Sequence, residues 1–250
     1  MSIDPKLARA ALARYVPNRL IRLVRSTEGA APLPAQTPPG NLRAAERQMQ
    51  RFKARPYVAL AKAFKKGSRI ACVLIRRSAI QTVAFNEKSE LYECEALHYH
   101  VRAIKFHKGE MEKQIESYII FPPHAIQRWA ERADGLDPKV PDQNLLKRLD
   151  REAETVLNHL DDLRFPLISK TSKGLWITQM SRTTRPEAPS YGVYVQTFLP
   201  AETLTRERKL YYDGTMEFTN PKELQRMLEV SPEHLRKLRE HNRKLEEEDG

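Results

Sequence analysis

The stretch Phe121-Pro-Pro-His-Ala-Ile-Gln-Arg-Trp-Ala-Glu-Arg-Ala-Asp-Gly135 decides how the rest of this chain is read. Proline at the first helical position and glycine at the end predict a short helix. Spacing of four residues stacks His124, Arg128 and Arg132 on one face and leaves Ala125, Ile126, Trp129, Ala130 and Ala133 on the opposite, apolar side. A histidine in the first turn feels the positive end of the helix dipole. That favours the neutral imidazole, the form able to accept a proton. Two arginines four apart repel weakly unless an anion or carboxylate lies between them, so the array suits a phosphate. The same residues also fit a solvated face of mixed charge, with Glu131 paired to Arg128 and Asp134 close by.

On either side the periodicity changes. Downstream, residues 142–160 form an amphipathic helix with Leu145, Leu146, Leu149, Val156 and Leu157 on one stripe. Short β-like runs follow at 167–170, 175–180 and 192–199, with a polar loop over 181–190. Upstream, β-like runs occupy 69–76, 79–85, 91–107 and 114–121. Before them, Asp4-Pro5 starts a helix to about Tyr15, interrupted by Pro17, and Asn18 caps a second to Arg25. Residues 26–40, with four prolines and two glycines, read as a semi-rigid linker. Asn41 caps a helix to about Arg55, and another is expected from Pro56 to Gly67. Ser231-Pro232-Glu233 starts a C-terminal helix. The expected class is α+β: a small antiparallel sheet packed by two helices over 69–220, a helical basic arm over 1–68 in front, and C-terminal helices over 221–250.

At 250 residues the chain can bury a substantial core in one domain or two. No apolar run approaches the length needed to cross a bilayer, and no secretory hydrophobic region follows the N-terminus, so a protein of the cytoplasm or of a phage particle, without a membrane partner, is expected. Residues 1–70 hold 15 of the 43 Lys and Arg but only three acids, so a net +12 sits on them and −1 on the remainder. Such an excess is expected of a segment that touches a polyanion. Arg19, Arg22, Arg25, Arg47, Arg51, Lys53, Arg55, Lys65 and Lys66 are the candidate contacts. An Arg-rich amphipathic start also resembles a transit peptide or membrane-surface helix, but Leu7, Leu12, Leu20, Ile21, Leu23 and Val24 are modest for anchoring. Contact with a polyanion, or with a protein through these helices, is favoured.

Two cysteines, Cys72 and Cys94, make no disulfide framework, and a reducing compartment is expected. His98 and His100 flank Tyr99 on a predicted strand and share a face with Cys94 and Ala96, while Leu97, Tyr99 and Val101 face a core. Cys94, His98 and His100, with Glu90 or His107 as a fourth ligand, are a weak zinc candidate, since no Cys-x-x-Cys or His-Glu-x-x-His accompanies them. No cofactor is expected: glycine-rich phosphate loops, Gly-x-Ser-x-Gly elbows and two-metal carboxylate clusters are all missing.

The helix at 121–135 resembles the His-Ala-x-x-Arg-x-x-Glu-Arg helix of small bacterial and phage proteins in the barnase, EndoU, colicin and RelE group of ribonucleases. Tyr191-Gly-Val-Tyr-Val-Gln-Thr-Phe-Leu-Pro200 is similar to their strand ending in a Thr-x-x-Pro turn. The resemblance covers about residues 113–200 and excludes the first hundred. It implies a metal-independent, toxin-like endoribonuclease domain, with His124 as base or acid, Arg128 and Arg132 clamping phosphate, and Thr197 contacting the substrate. Such a reaction uses the ribose 2′-hydroxyl as nucleophile and needs a base, an acid and fixed cations. The chain departs from the group in its greater length and in lacking a clear second catalytic group. The alternative is a non-catalytic nucleic-acid-binding or structural component of a phage particle, plasmid apparatus or ribonucleoprotein.

Overall fold

Local signals act as expected at two helix starts, whereas Asn18, expected to cap the second helix, lies inside its first turn. The Asp4 carboxylate accepts from the Lys6 amide at 2.9 Å to open α1 (Pro5–Ala13), and the Asn41 side chain accepts from the Ala44 amide at 2.9 Å to open α3 (Leu42–Lys53). Pro17 lies in the first turn of α2 (Val16–Arg25) and starts it rather than breaking the chain. The computed structural model describes residues 4–27, 39–85, 91–133, 136–158, 168–183 and 190–213. Most of the linker and the expected C-terminal helices over 221–250 lie outside them.

A seven-stranded sheet organises the rest. Its strands are β1 (Val58–Lys66), β2 (Arg69–Phe85), β3 (Leu91–His107), β4 (Glu110–Phe121), β5 (Ile168–Thr171), β6 (Gly174–Thr183) and β7 (Ser190–Pro200), in the order β1-β2-β3-β4-β7-β6-β5. All neighbours are antiparallel except β4 and β7, which run parallel over Ser117–Ile120 and Tyr191–Tyr194. The mixed α/β class is as expected, but the sheet is larger than the small antiparallel one anticipated. Helices α4 (Pro123–Arg132) and α5 (Asp142–Asn158) connect β4 to β5, and α6 (Arg206–Tyr212) follows β7.

The helix expected after Pro56 is a strand, β1. Its Ala, Leu and Lys residues favour helix, but Gly67-Ser68 makes a two-residue hairpin turn that pairs Lys66 with Arg69. Gly67 takes φ +62°, open to glycine at no steric cost. The two expected strands at 69–76 and 79–85 are one 17-residue strand.

Pleat alternation divides the core. Leu97, Tyr99 and Val101 of β3 face the larger cluster with Ile75, Ile119 and Phe121, whereas Ile104 and Phe106 face a smaller one with Cys72 and Leu74. Helices α1, α2, α4 and α5 cover the first face through Ala13, Val16, Leu20, Ile21, Val24, Ile126, Trp129, Leu145 and Leu149; α3 covers the second through Ala45 and Met49. The N-terminal helices expected to form an arm therefore have their apolar stripe inside this chain's own core. Aromatic rings run from Tyr99 through Phe121 and Trp176 to Phe198, with centroids 5.6, 5.2 and 4.8 Å apart.

One buried ion pair sets α5 on the sheet. Arg77 Nε and Nη2 each donate at 2.7 Å to the two Asp150 oxygens, its Nη1 donates to the Pro56 carbonyl at 2.5 Å, and the Tyr99 hydroxyl donates to Asp150 at 3.2 Å. Both charged side chains are about nine-tenths buried. Burial pushes the Asp150 carboxyl above its usual range, against the bonds from Arg77 and Tyr99. Arg77→Ala should cost about 3–5 kcal/mol in denaturant unfolding by stranding the carboxylate, whereas Arg77→Met with Asp150→Leu should cost far less. Equal losses would show that the ion pair itself carries the stability.

Candidate functional site

β4 ends at Phe121, and Pro122, extended at ψ 159°, turns the chain into α4. β7 continues past the end of β4, and α4 lies against that extension. Between β6 and β7 the register steps from Ile177 opposite Thr197 to Thr178 opposite Val195, leaving Gln196 as the extra residue of a bulge. His124 Nε2 lies 2.6 Å from the Gln196 carbonyl oxygen. A carbonyl can only accept, so Nε2 carries a proton and donates to it. Nδ1 is covered from solvent. In this geometry the imidazole braces the bulge.

The other expected residues sit around it. Arg128 Nη1 lies 3.2 Å from Glu131, which also accepts from Gln127 at 2.7 Å, so the pairing weighed against a phosphate clamp is present. Arg132 is half-buried, and Trp129 is buried beneath the helix. Thr197 is half-buried and follows Gln196 directly. The bulge reverses the alternation of β7: Phe198, which strict alternation would put on the face opposite Val193 and Val195, shares their core cluster. By the pleat, Thr197 then points away from the face that α4 covers. The structure thus brings the backbone beside Thr197 to His124 while turning the threonine side chain to the other side.

Several N-terminal cations are used internally. Arg9 donates to the Ala130 and Ala133 carbonyls at 3.4 and 2.5 Å, capping the negative end of α4. Arg19 donates to the Pro138 and Val140 carbonyls at 2.9 and 3.2 Å and pairs with Asp142, and Arg25 pairs with Glu95. Arg22, Arg55 and Lys65 are exposed; Lys66 is placed only by its backbone pairing with Arg69. Arg47, Arg51 and Lys53 line an open groove of about 880 Å³ between α3 and the edge strand β1, together with Arg43, Glu46, Gln50 and Lys62. Arg43 was missed in the sequence, though its four-residue spacing from Arg47 and Arg51 was visible. Arg43, Arg47, Arg51 and Lys53 are exposed and form no ion pair among the described residues. Lys62 pairs with Glu154.

No protein-family model, curated protein or solved structure matches this chain. No helix among the described residues is long and apolar enough to cross a membrane.

Among the described residues the zinc candidate does not assemble; Glu90, one of its two fourth-ligand candidates, lies outside them. Among the described residues no group of three or more His, Cys, Asp or Glu is placed to hold a metal ion. Burial pushes the Cys94 thiol up to about 11, keeping it protonated; His98 Nδ1 shares a hydrogen with Ser78 Oγ at 3.0 Å, and His100 Nε2 lies 3.7 Å from Glu116. Although β2 and β3 adjoin, Cys72 lies opposite Ile104 and Cys94 opposite Thr82, and both thiols are free. Burial, helped by His100, lowers His98 to about 4, and burial also lowers His100. An unfolded histidine binds its proton near 6.5, so this contribution to stability is complete above that pH and is lost as pH falls toward about 4. His98→Gln should flatten the stability loss between pH 6.5 and 4 in urea unfolding, and an unchanged profile would contradict the assignment.

Proposed function

We propose that this protein binds nucleic acid, with RNA as the expected target, through the cationic face of α3. The observation that carries the reading is the row Arg43, Arg47 and Arg51 at successive helical turns, with Lys53, along a groove where Glu46 also lies but pairs with none of them among the described residues. Like charges at that spacing destabilise a helix by about 0.2–0.5 kcal/mol per pair. A phosphate backbone running along the groove removes that repulsion and releases counterions. Electrostatic contact of this kind is independent of sequence and suits the non-catalytic reading. In fluorescence anisotropy with labelled RNA and DNA, Arg47→Ala/Arg51→Ala should weaken binding at least tenfold. Each lost phosphate contact should lower the log–log salt slope by about 0.7 for single strands or about 0.9 for duplex. An unchanged slope would place the binding elsewhere, and no wild-type binding at low salt would sink the reading.

A second reading, metal-independent RNA cleavage at α4, is favoured by one observation: the helix and the strand that carry the ribonuclease resemblance lie side by side, joined by the His124–Gln196 hydrogen bond. In it the covered Nδ1 must be exposed by substrate, Arg128 must leave Glu131 for phosphate, and Arg132 supplies a second cation. His124→Ala should then lower single-turnover cleavage about a hundredfold or more with little change in RNA affinity, and EDTA should have no effect. Wild-type protein that binds RNA but never cuts it leaves the binding reading alone.

A further inference from the structure

We infer that the sheet face next to α3 holds a phosphate group between Arg76 and the paired rings of His98 and His100. The register puts these groups in adjacent cross-strand ranks: Arg76 of β2 is opposite His100 of β3, which is opposite Tyr118 of β4, and Ser78 is opposite His98. The two imidazoles are stacked with centroids 6.3 Å apart, and Tyr118 lies 5.7 Å from His98. Gly192 of β7 forms the outer wall. A Cβ there would lie 2.0 Å from the Tyr118 ring, so only glycine lets that ring lie against the strand.

Arg76 is the unexplained member. It is half-buried, yet its Nε is covered and makes no hydrogen bond among the described residues, and no carboxylate pairs with it. Its guanidinium lies over the Tyr57 ring at 5.7 Å, a contact that does not compensate a covered N–H. Its neighbour on the same face, Arg102, shows the contrast: Nε and Nη2 donate to Glu116 at 2.9 and 2.5 Å, and Gln114 donates to the same oxygen. Glu116 Oε1 is thereby occupied and its Oε2 faces His100 Nε2 at 3.7 Å, so Arg76 is left as a cation without a paired carboxylate in a partly dry setting, which is costly unless an anion arrives.

The chemistry of the donors selects phosphate. A guanidinium offers a planar fork, the neutral His100 imidazole offers one N–H, and the Ser78–His98 pair, which shares one hydrogen between Oγ and Nδ1, offers one more donor, the His98 Nε2–H or the Ser78 hydroxyl; together they match several acceptors of a tetrahedral oxyanion. The site adjoins the cationic groove through one chain of contacts, since Phe52 of α3 and Tyr57 belong to the smaller core cluster and Tyr57 carries Arg76. Two sources share this chemistry, the phosphodiester of a strand lying along α3 and a free phosphate ester. The first rests on the α3 reading and the second does not.

The test is an NMR titration of histidine ring resonances in the full chain, once with inorganic phosphate and once with a short single-stranded oligonucleotide. Saturable shifts of His98 and His100 with phosphate are expected. They should weaken at least tenfold in Arg76→Lys, which keeps the charge and loses the fork, and vanish in Arg76→Gln, with circular dichroism checking that both variants fold. Arg47→Ala/Arg51→Ala should leave the phosphate titration intact and weaken the oligonucleotide effect. If that pair of substitutions changes nothing, the α3 reading fails and the site stands as one for free phosphate esters. If neither ligand moves the two histidines in the wild-type chain, or if both Arg76 variants fold and titrate like it, the site is overturned.

Discussion

The buried fork between Arg77 and Asp150 is the constraint on which the arrangement of the larger core depends. It joins the start of β1, through the Pro56 carbonyl, to β2, β3 and α5, and it does so with directional bonds that allow one rotational setting of the helix. With that setting fixed, Leu145, Leu149, Ala153 and Val156 fall on the sheet. Glu152 accepts from the Trp176 indole at 2.9 Å, so α5 also grips β6. A single helix thus spans the meander β1–β4 and the group β5–β7, while α4 packs on β7 and β3 beneath α1 and α2.

How much of this was legible depends on whether a signal was local. The caps at Asp4 and Asn41, the apolar side of α4 and the alternation of Leu97, Tyr99 and Val101 are one-element properties, and they could be read directly. β1 has a helix-forming composition, and the two-residue Gly67-Ser68 turn that pairs it with β2 overrides that local preference. The extent of the sheet and the parallel joint depend on partners far apart in the chain. An amphipathic stripe such as Val16, Leu20 and Val24 shows that something covers it without saying what. In β7 the bulge at Gln196 inverted every later side-chain direction, and no residue in the strand announces it. His124 was placed correctly on its helix; its partner, a backbone carbonyl 72 residues away, could not be inferred from spacing.

Charge counting shows a related gap. The +12 excess of the first 70 residues suggested one basic surface, yet the structure divides those cations by use. Arg9 and Arg19 satisfy helix-end and loop carbonyls, Arg25 and Lys62 pair with acids of β3 and α5, and the row on α3 keeps its charge facing solvent. What distinguishes the groups is the acceptor that folding brings to each. Arg76 and Arg102 belong to adjacent ranks of one sheet face, and Glu116 reaches only the latter.

The parallel joint between β4 and β7 has a consequence for how the molecule is made. Four residue pairs hold the two parts of the sheet in register, and the partners lie about 70 residues apart in sequence, so the joint carries a much larger loop-closure cost than the hairpins on either side of it. The meander and the β6–β7 hairpin are each built from neighbouring segments and can form early, which leaves their union for late in folding. Until then β4 and β7 both present open backbone edges with strongly β-forming sequences such as Tyr118-Ile-Ile-Phe121. The interval before that edge closes is when a nascent chain is most exposed to pairing with another copy of itself.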